Sequence, residues 1–120
     1  MKTKPKKLKD ADLDKLWVKQ IHARGICEYC GSTGRLNAHH IHTRSNKSTR
    51  WDLENGILLC VHHHVWGKFS AHKTPLDFHK WLVEYMGIKK YKALQKRAKN
   101  TVVCDQIYRK KIKILLENHE

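Results

Sequence analysis

A chain of 120 residues and 14.2 kDa with 25 Lys+Arg against 11 Asp+Glu, a net charge of +14 and a pI near 9.8, fits one small domain whose partner is a polyanion. The opening MKTKPKKLKD is polar throughout and mean hydropathy is −0.70, so neither an apolar signal segment nor a membrane span is expected; the basic segments also lack the apolar face that an interfacial helix needs. The setting is therefore expected to be reducing and cytoplasmic, so that Cys27, Cys30, Cys60 and Cys104 speak for metal binding rather than for a disulfide framework.

In chain order, residues 1–9 hold five lysines and few apolar groups and are expected to form a disordered basic arm that can lie along phosphates. From Asp10, Leu13, Leu16, Trp17 and Ile21 recur at helical spacing, with aspartates at the start and Gly25 placed as a cap. This predicts a helix of about 12 residues whose Leu/Trp face packs on the metal-binding core that the cysteines would form. Between Ile26 and Cys60 turn residues dominate (Gly31, Ser32, Gly34, Asn46, Ser48, Asn55, Gly56), with short extended runs near 35–42 and 57–59, so a knuckle and a short hairpin are expected. The run VHHHVW after Cys60 can open a helix. Thr74, Pro75 and Asp77 start the next helix, Leu76, Phe78, Trp81, Leu82 and Tyr85 give it apolar positions, and Gly87 ends it. From Ile88 onward the chain reads as helical in two pieces broken near Asn100, with ten Lys/Arg against three acids.

Cys27-x2-Cys30 and Cys60-x2-His63 are separated by 29 residues. Two intervening residues let one tight turn present both side chains to a single ion, and the Gly31-Ser32-Thr33-Gly34 stretch suits that reversal. Thiolate together with imidazole in a four-coordinate set favours zinc over harder ions, and a set filled entirely by protein is structural. His62 or His64 can also supply the fourth ligand; equal spacing selects His63. Cys104, in a Val-Val-Cys run without a partner, reads as a small packing residue.

Five of the ten histidines fall in two groups, Ala38-His39-His40-Ile41 and Val61-His62-His63-His64, with Asn55 between them. Cutting a phosphodiester requires an activated water, neutralisation of phosphoryl charge and help for the leaving oxygen, which one metal and one imidazole can provide. On an extended segment neighbouring side chains diverge, so one of His39 and His40 can ligate while the other remains free as a base. The base needs its second nitrogen held by an acceptor, and the amide or carbonyl of Asn55 is the natural orienting group.

These motifs resemble the HNH nuclease family of the ββα-metal superfamily, in particular zinc-ribbon members of phage or bacterial type. The quoted elements are Cys27 to Cys30, then His39-His40-Ile41, then Asn55-Gly-Ile-Leu-Leu-Cys60-Val-His-His63-His64. The resemblance implies that His39 and His64 ligate a catalytic divalent metal, that His40 is the general base and that Asn55 orients it. Two positions depart from the commoner pattern. His63 replaces a cysteine and His39 an aspartate, and the latter shifts the metal from Mg2+ toward Mn2+, Ni2+ or Zn2+. His72, eight residues past His64, would lie two turns on along a continuing helix and is a lesser candidate ligand; His42, His62 and His79 read as surface or phosphate-contacting residues.

The resulting expectation is an α+β, mostly helical fold with a small ββα-metal core stapled by one zinc per chain. Residues 10–87 form the core with its flanking helices, and 88–120 a basic helical extension of the same domain. The expected activity is hydrolysis of DNA by a monomer or weak dimer without membrane contact. A zinc module that only binds nucleic acid explains the charge and the cysteines but leaves His39, His40, Asn55 and His64 without a reason to stand in register. A zinc deaminase needs an H-x-E arrangement beside the metal, and the chain has none.

Overall fold

Asp10 and Asp12 at the start and Lys19 and His22 at the end match the dipole of helix α1 (Asp10–His22), and the Asp12 carboxylate accepts a hydrogen bond from the Lys9 amide at 2.8 Å. The computed structural model describes residues 6–119, so most of the expected basic arm lies outside the described residues. Leu8, at its inner end, is tied to Gln106 by two backbone-to-amide hydrogen bonds of 2.9 and 2.7 Å.

Among the described residues, four α-helices surround one two-stranded antiparallel sheet. Strands β1 (Leu36–His40) and β2 (Gly56–Cys60) pair with Leu36 opposite Cys60 and His40 opposite Gly56. Beyond β2 a single wide helical turn, His62–Trp66, precedes α2 (Pro75–Met86), α3 (Ile88–Ala98) and α4 (Gln106–Glu117). The architecture is thus the α+β, mostly helical one expected, with the helical C-terminal stretch broken between residues 98 and 106.

Strand β2 is buried along its whole length because both of its faces are covered, and the alternation of its side chains divides the interior in two. Ile57 and Leu59 pack with Cys27, Cys60, Phe78 and Leu82, under α2. Leu58 points the other way, into a second core of Leu13, Trp17, Ile21, Trp51 and Leu116 built by α1 and α4. Helix α1 therefore packs on the sheet face away from the cysteines, not on the zinc core as its Leu/Trp stripe suggested. Periodicity identifies the buried face of a helix but not the surface that covers it. The approach is close: a Cβ on Gly56 would lie 2.5 Å from Ile21 Cδ1 and 2.5 Å from Trp17 Cζ2.

Thr74 precedes α2 as expected, but its hydroxyl accepts from the Ser70 amide at 3.0 Å and donates to the Ser70 carbonyl at 3.1 Å instead of capping the helix. Pro75 opens α2 at its first turn, where a missing N–H costs nothing. No helix among the described residues is long and apolar enough to cross a membrane.

Candidate metal centres and histidine cluster

The knuckle before β1 is held by the backbone. The Cys27 amide donates to the Ser32 carbonyl at 2.8 Å, and the Gly31 amide to the Cys27 carbonyl at 2.8 Å, with Gly31 at φ 77°, a conformation that favours glycine. Glu28 docks this loop on β2: its amide donates to the Leu58 carbonyl at 2.8 Å, and its carboxylate accepts from the Leu58 amide at 2.6 Å. Cys60 at the end of β2 and His63 in the following turn meet the knuckle from the opposite side.

Cys27, Cys30, Cys60 and His63 lie close together, as in a zinc site, with every pair of ligand atoms within 4.8 Å. The Cys30 and Cys60 sulfurs are 3.8 Å apart, and Nδ1 of His63 is 3.1 Å from Cys60 Sγ and 4.0 Å from Cys27 Sγ. Tetrahedral zinc with Zn–S of about 2.3 Å places two sulfurs about 3.8 Å apart, so the set fits that ion. Burial pushes the Cys27 thiol up, but the backbone amides of Cys60, Cys30 and Tyr29 outweigh it and hold the thiol below its ordinary value, which suits a thiolate ligand.

A second cluster is formed by His39, His64 and His72, whose ligand atoms also lie within 4.8 Å of one another. His39 stands on β1 opposite Ile57; its ring centroid is 5.0 Å from that of His64 and 5.5 Å from that of His72. His72 joins them because the chain turns back after the wide turn instead of continuing as a helix. The Gly67 amide bonds the His62 carbonyl, the Ala71 amide the His63 carbonyl, and the His72 amide the His64 carbonyl. Burial, then repulsion from His64, His72 and His40, pushes His39 down to about 4; burial and His72 lower His64 as well. His39 and His64 are thereby held as uncharged imidazoles with lone pairs to offer, and imidazole is a donor suited to a borderline divalent metal.

His40 occupies the other side of β1. Its ring stacks on Trp17 with centroids 3.9 Å apart and planes 8° from parallel, and its Nε2 lies 2.9 Å from the Arg50 carbonyl oxygen. A carbonyl only accepts, so Nε2 carries the proton and the lone pair is on Nδ1. Burial lowers this histidine, while the Arg50 carbonyl and the Asp14 charge act against the shift.

The acceptor expected from Asn55 is therefore supplied by Arg50. Asn55 is fully buried and fixes the 41–55 connection instead: its side chain accepts from the His42 amide at 2.7 Å and donates to the His42 and Thr49 carbonyls at 3.1 and 3.0 Å. Its carbonyl takes the Ile41 amide at 2.9 Å, so it sets the backbone directly after His40. Of the remaining histidines, His62 is exposed, His42 is half-buried, and His79 pairs with the Tyr91 hydroxyl at 3.1 Å. Cys104 is half-buried near Asp10, away from the other cysteines.

Sequence reasoning undervalued His72 and missed Trp17, Asp14 and Arg50 as neighbours of His40. Trp17 read as an ordinary apolar position of α1, and nothing in the local spacing marks Arg50. Two cavities, of about 390 and 450 Å³, lie elsewhere, one lined by Arg24, Tyr85 and Lys90 and the other by Trp51 and Tyr108. The histidine cluster lines neither of them, and a backbone phosphate needs no deep pocket.

A search of curated proteins and a search of solved structures returned no match. Residues 27–65, which span both cysteine pairs, both strands and the turn carrying His63 and His64, match the family model described as HNH endonuclease. The match covers about a third of the chain and points to a nuclease or nucleic-acid-related function with a nucleic-acid substrate.

Proposed function

We propose that the protein is a metal-dependent endonuclease that hydrolyses DNA phosphodiester bonds, with a structural zinc at Cys27, Cys30, Cys60 and His63 and a catalytic divalent metal at His39, His64 and His72. The observation that carries this reading is the convergence of the three imidazoles of His39, His64 and His72 beside the zinc-type set, with His40 at the adjoining strand position. When bound, the catalytic ion supplies positive charge next to the scissile phosphate and makes a nearby water more acidic.

The residues of the chain do the rest. His40 takes the proton of the attacking water on Nδ1, because Nε2 is committed to the Arg50 carbonyl. The resulting imidazolium sits against the Trp17 face, which favours a cation. Asn55 holds the 41–55 connection, and the zinc staple fixes His63 and thereby its neighbour His64. An all-imidazole set favours Mn2+, Ni2+ or Zn2+ over Mg2+. Each chain offers one such cluster among its described residues, so one copy nicks one strand, and double-strand cutting takes two copies or two events.

The test is cleavage of supercoiled DNA by zinc-loaded protein titrated with Mn2+, comparing the wild type with His40→Ala. Nicked product from the wild type and none from the variant, with DNA binding and zinc content retained in both, is the expected outcome. Cleavage by His40→Ala excludes the assigned base. Absence of cleavage by the wild type with every divalent ion leaves a positively charged zinc module that binds nucleic acid without cutting it.

A further inference from the structure

We infer that α1, which lies outside the segment matching the HNH family, aims the base, with Trp17, Asp14 and Arg50 acting as positioning residues for His40. This inference rests on the nuclease reading above for its consequence, though not for its geometry. It begins with a problem that β1 alone does not solve. A histidine on a two-stranded sheet can rotate about its outer side-chain bond and exchange its ring proton between two nitrogens, and only one combination leaves a lone pair aimed at water.

Two contacts remove that freedom. The Trp17 indole lies parallel to the His40 ring at 3.9 Å, and the indole is itself pinned by donation from its Nε1 to the Asp52 carbonyl at 2.9 Å. The Arg50 carbonyl accepts a hydrogen bond from the Nε2–H of His40, which fixes the tautomer. That carbonyl belongs to a connection between strands and needs an anchor of its own. Asp14 provides it: the carboxylate accepts from Arg50 Nε at 3.0 Å and from Nη2 at 2.7 Å, a two-point pairing that holds the guanidinium in plane. Asp14 also accepts from Trp51 Nε1 at 2.9 Å and Arg44 Nη2 at 2.9 Å, so its remaining capacity goes to the same connection.

Asp14 and Trp17 are three residues apart on α1 and so share one face of the helix. A single rigid element therefore sets both the stack and the tautomer. Gly56, the cross-strand partner of His40, completes the arrangement, because any Cβ there would push Trp17 and Ile21 off the sheet.

The experiment uses the full zinc-loaded chain and has two readouts. Long-range proton–nitrogen NMR reports the ring of His40 without requiring turnover: the wild type shows one tautomer, protonated at Nε2, with ring protons moved upfield by the indole. Arg50→Ala and Asp14→Ala mix the two tautomers, and the double variant is no worse than either alone. On plasmid DNA these variants lose on the order of 10- to 100-fold in kcat, the scale on which outer partners of an active site act, with KM and zinc content unchanged. Arg50→Lys recovers only part of the loss, since a lysine cannot reproduce the two-point pairing. Trp17→Phe keeps a stacked ring and most of the activity, whereas Trp17→Leu removes the upfield shift. A folded Arg50→Ala protein with the wild-type tautomer overturns the proposal, as does one with the wild-type kcat. If the tautomer mixes as expected while no form of the protein cuts DNA, the positioning stands and the nuclease reading alone fails.

Discussion

The Nε2 atoms of His64 and His72 lie 3.1 Å apart although the two residues are eight positions apart in the chain. Two neutral imidazoles that both present lone pairs at this distance repel each other unless a proton or a cation sits between them. Two nitrogens bound at about 2.0–2.1 Å to one tetrahedral ion stand about 3.3 Å apart, close to the observed spacing. Losing a group that merely orients a ligand costs about 10- to 100-fold in metal affinity, and losing a ligand costs at least as much. His72→Ala and His39→Ala are accordingly expected to weaken Mn2+ or Ni2+ binding by that factor or more in a calorimetric titration, with one tightly held zinc per chain retained. Unchanged affinity in His72→Ala would remove that residue from the set.

The two candidate metal centres differ in what they would support. Cys27 and Cys60 are buried within the core shared with Ile57, Leu59, Phe78 and Leu82, so an ion held by them would join the knuckle to β2 and α2. Zinc binding to such sets releases about 10–16 kcal/mol, more than the net stability of a small domain. Cys27→Ser is expected to abolish the cooperative thermal transition, and a strong chelator is expected to do the same to the wild type. His39→Ala, by contrast, is expected to melt within a few degrees of the wild type. Equal melting of Cys27→Ser and wild type would remove the staple.

How far the sequence alone could be read depends on how local each relationship is. Cys27-x2-Cys30 and Cys60-x2-His63 were legible because a turn of fixed length brings each pair together whatever else the chain does. The helices α2, α3 and α4 were legible for a similar reason, since Pro75, Gly87 and the gap near Asn100 punctuate a clear period. His72 was not, because its place depends on the chain leaving helical geometry after Trp66, where Gly67 bonds back to His62 and leaves no room for a Cβ. The partner of His40 was not legible either. Asn55 stands at the expected spacing, but the acceptor is the Arg50 carbonyl, and a carbonyl has no side-chain signature. What joins it to α1 is a contact between residues 14 and 50, with no local pattern to announce it.

Asp10 ties the start of α1 to two distant segments. Its carboxylate accepts from Lys47 and, at 3.0 Å, from Arg109 of α4. The hydrogen bond from Lys47, aided by Arg109 and opposed by burial, holds the Asp10 carboxyl down at about 2. A carboxyl whose folded value is depressed stabilises the fold above its unfolded value, here 3.8, and that contribution is lost as pH falls toward 2. The melting temperature of wild type should therefore exceed that of Asp10→Asn by a constant margin above about pH 5, and the margin should narrow between pH 5 and pH 3. A margin independent of pH over that interval would show that Asp10 acts through shape and not through charge.

Helix α3 offers the clearest free charge for a nucleic-acid backbone. Lys89, Lys92 and Lys96 are exposed at positions that fall on one face, opposite the buried Leu94, and among the described residues none of the three takes part in an ion pair. Arg97 on the same helix is different, because Asp52 and Glu54 already engage it at 2.7 and 3.5 Å. A lysine that meets phosphate releases condensed counterions, and each contact contributes about 0.9 to the slope of log affinity against log salt. Replacing Lys89, Lys92 and Lys96 together by glutamine should therefore weaken DNA binding at low salt and flatten the slope by about 2–3, with equal effect on unrelated sequences, because phosphate contacts carry no base information. Neutralising Arg97 instead should leave the slope nearly unchanged and lower the melting temperature, since it cuts the link from α3 to the turn before β2. Fluorescence anisotropy of labelled duplexes across a salt series separates the two cases. An unaltered slope in the triple variant would move the DNA path off α3 and toward the lysines of α4.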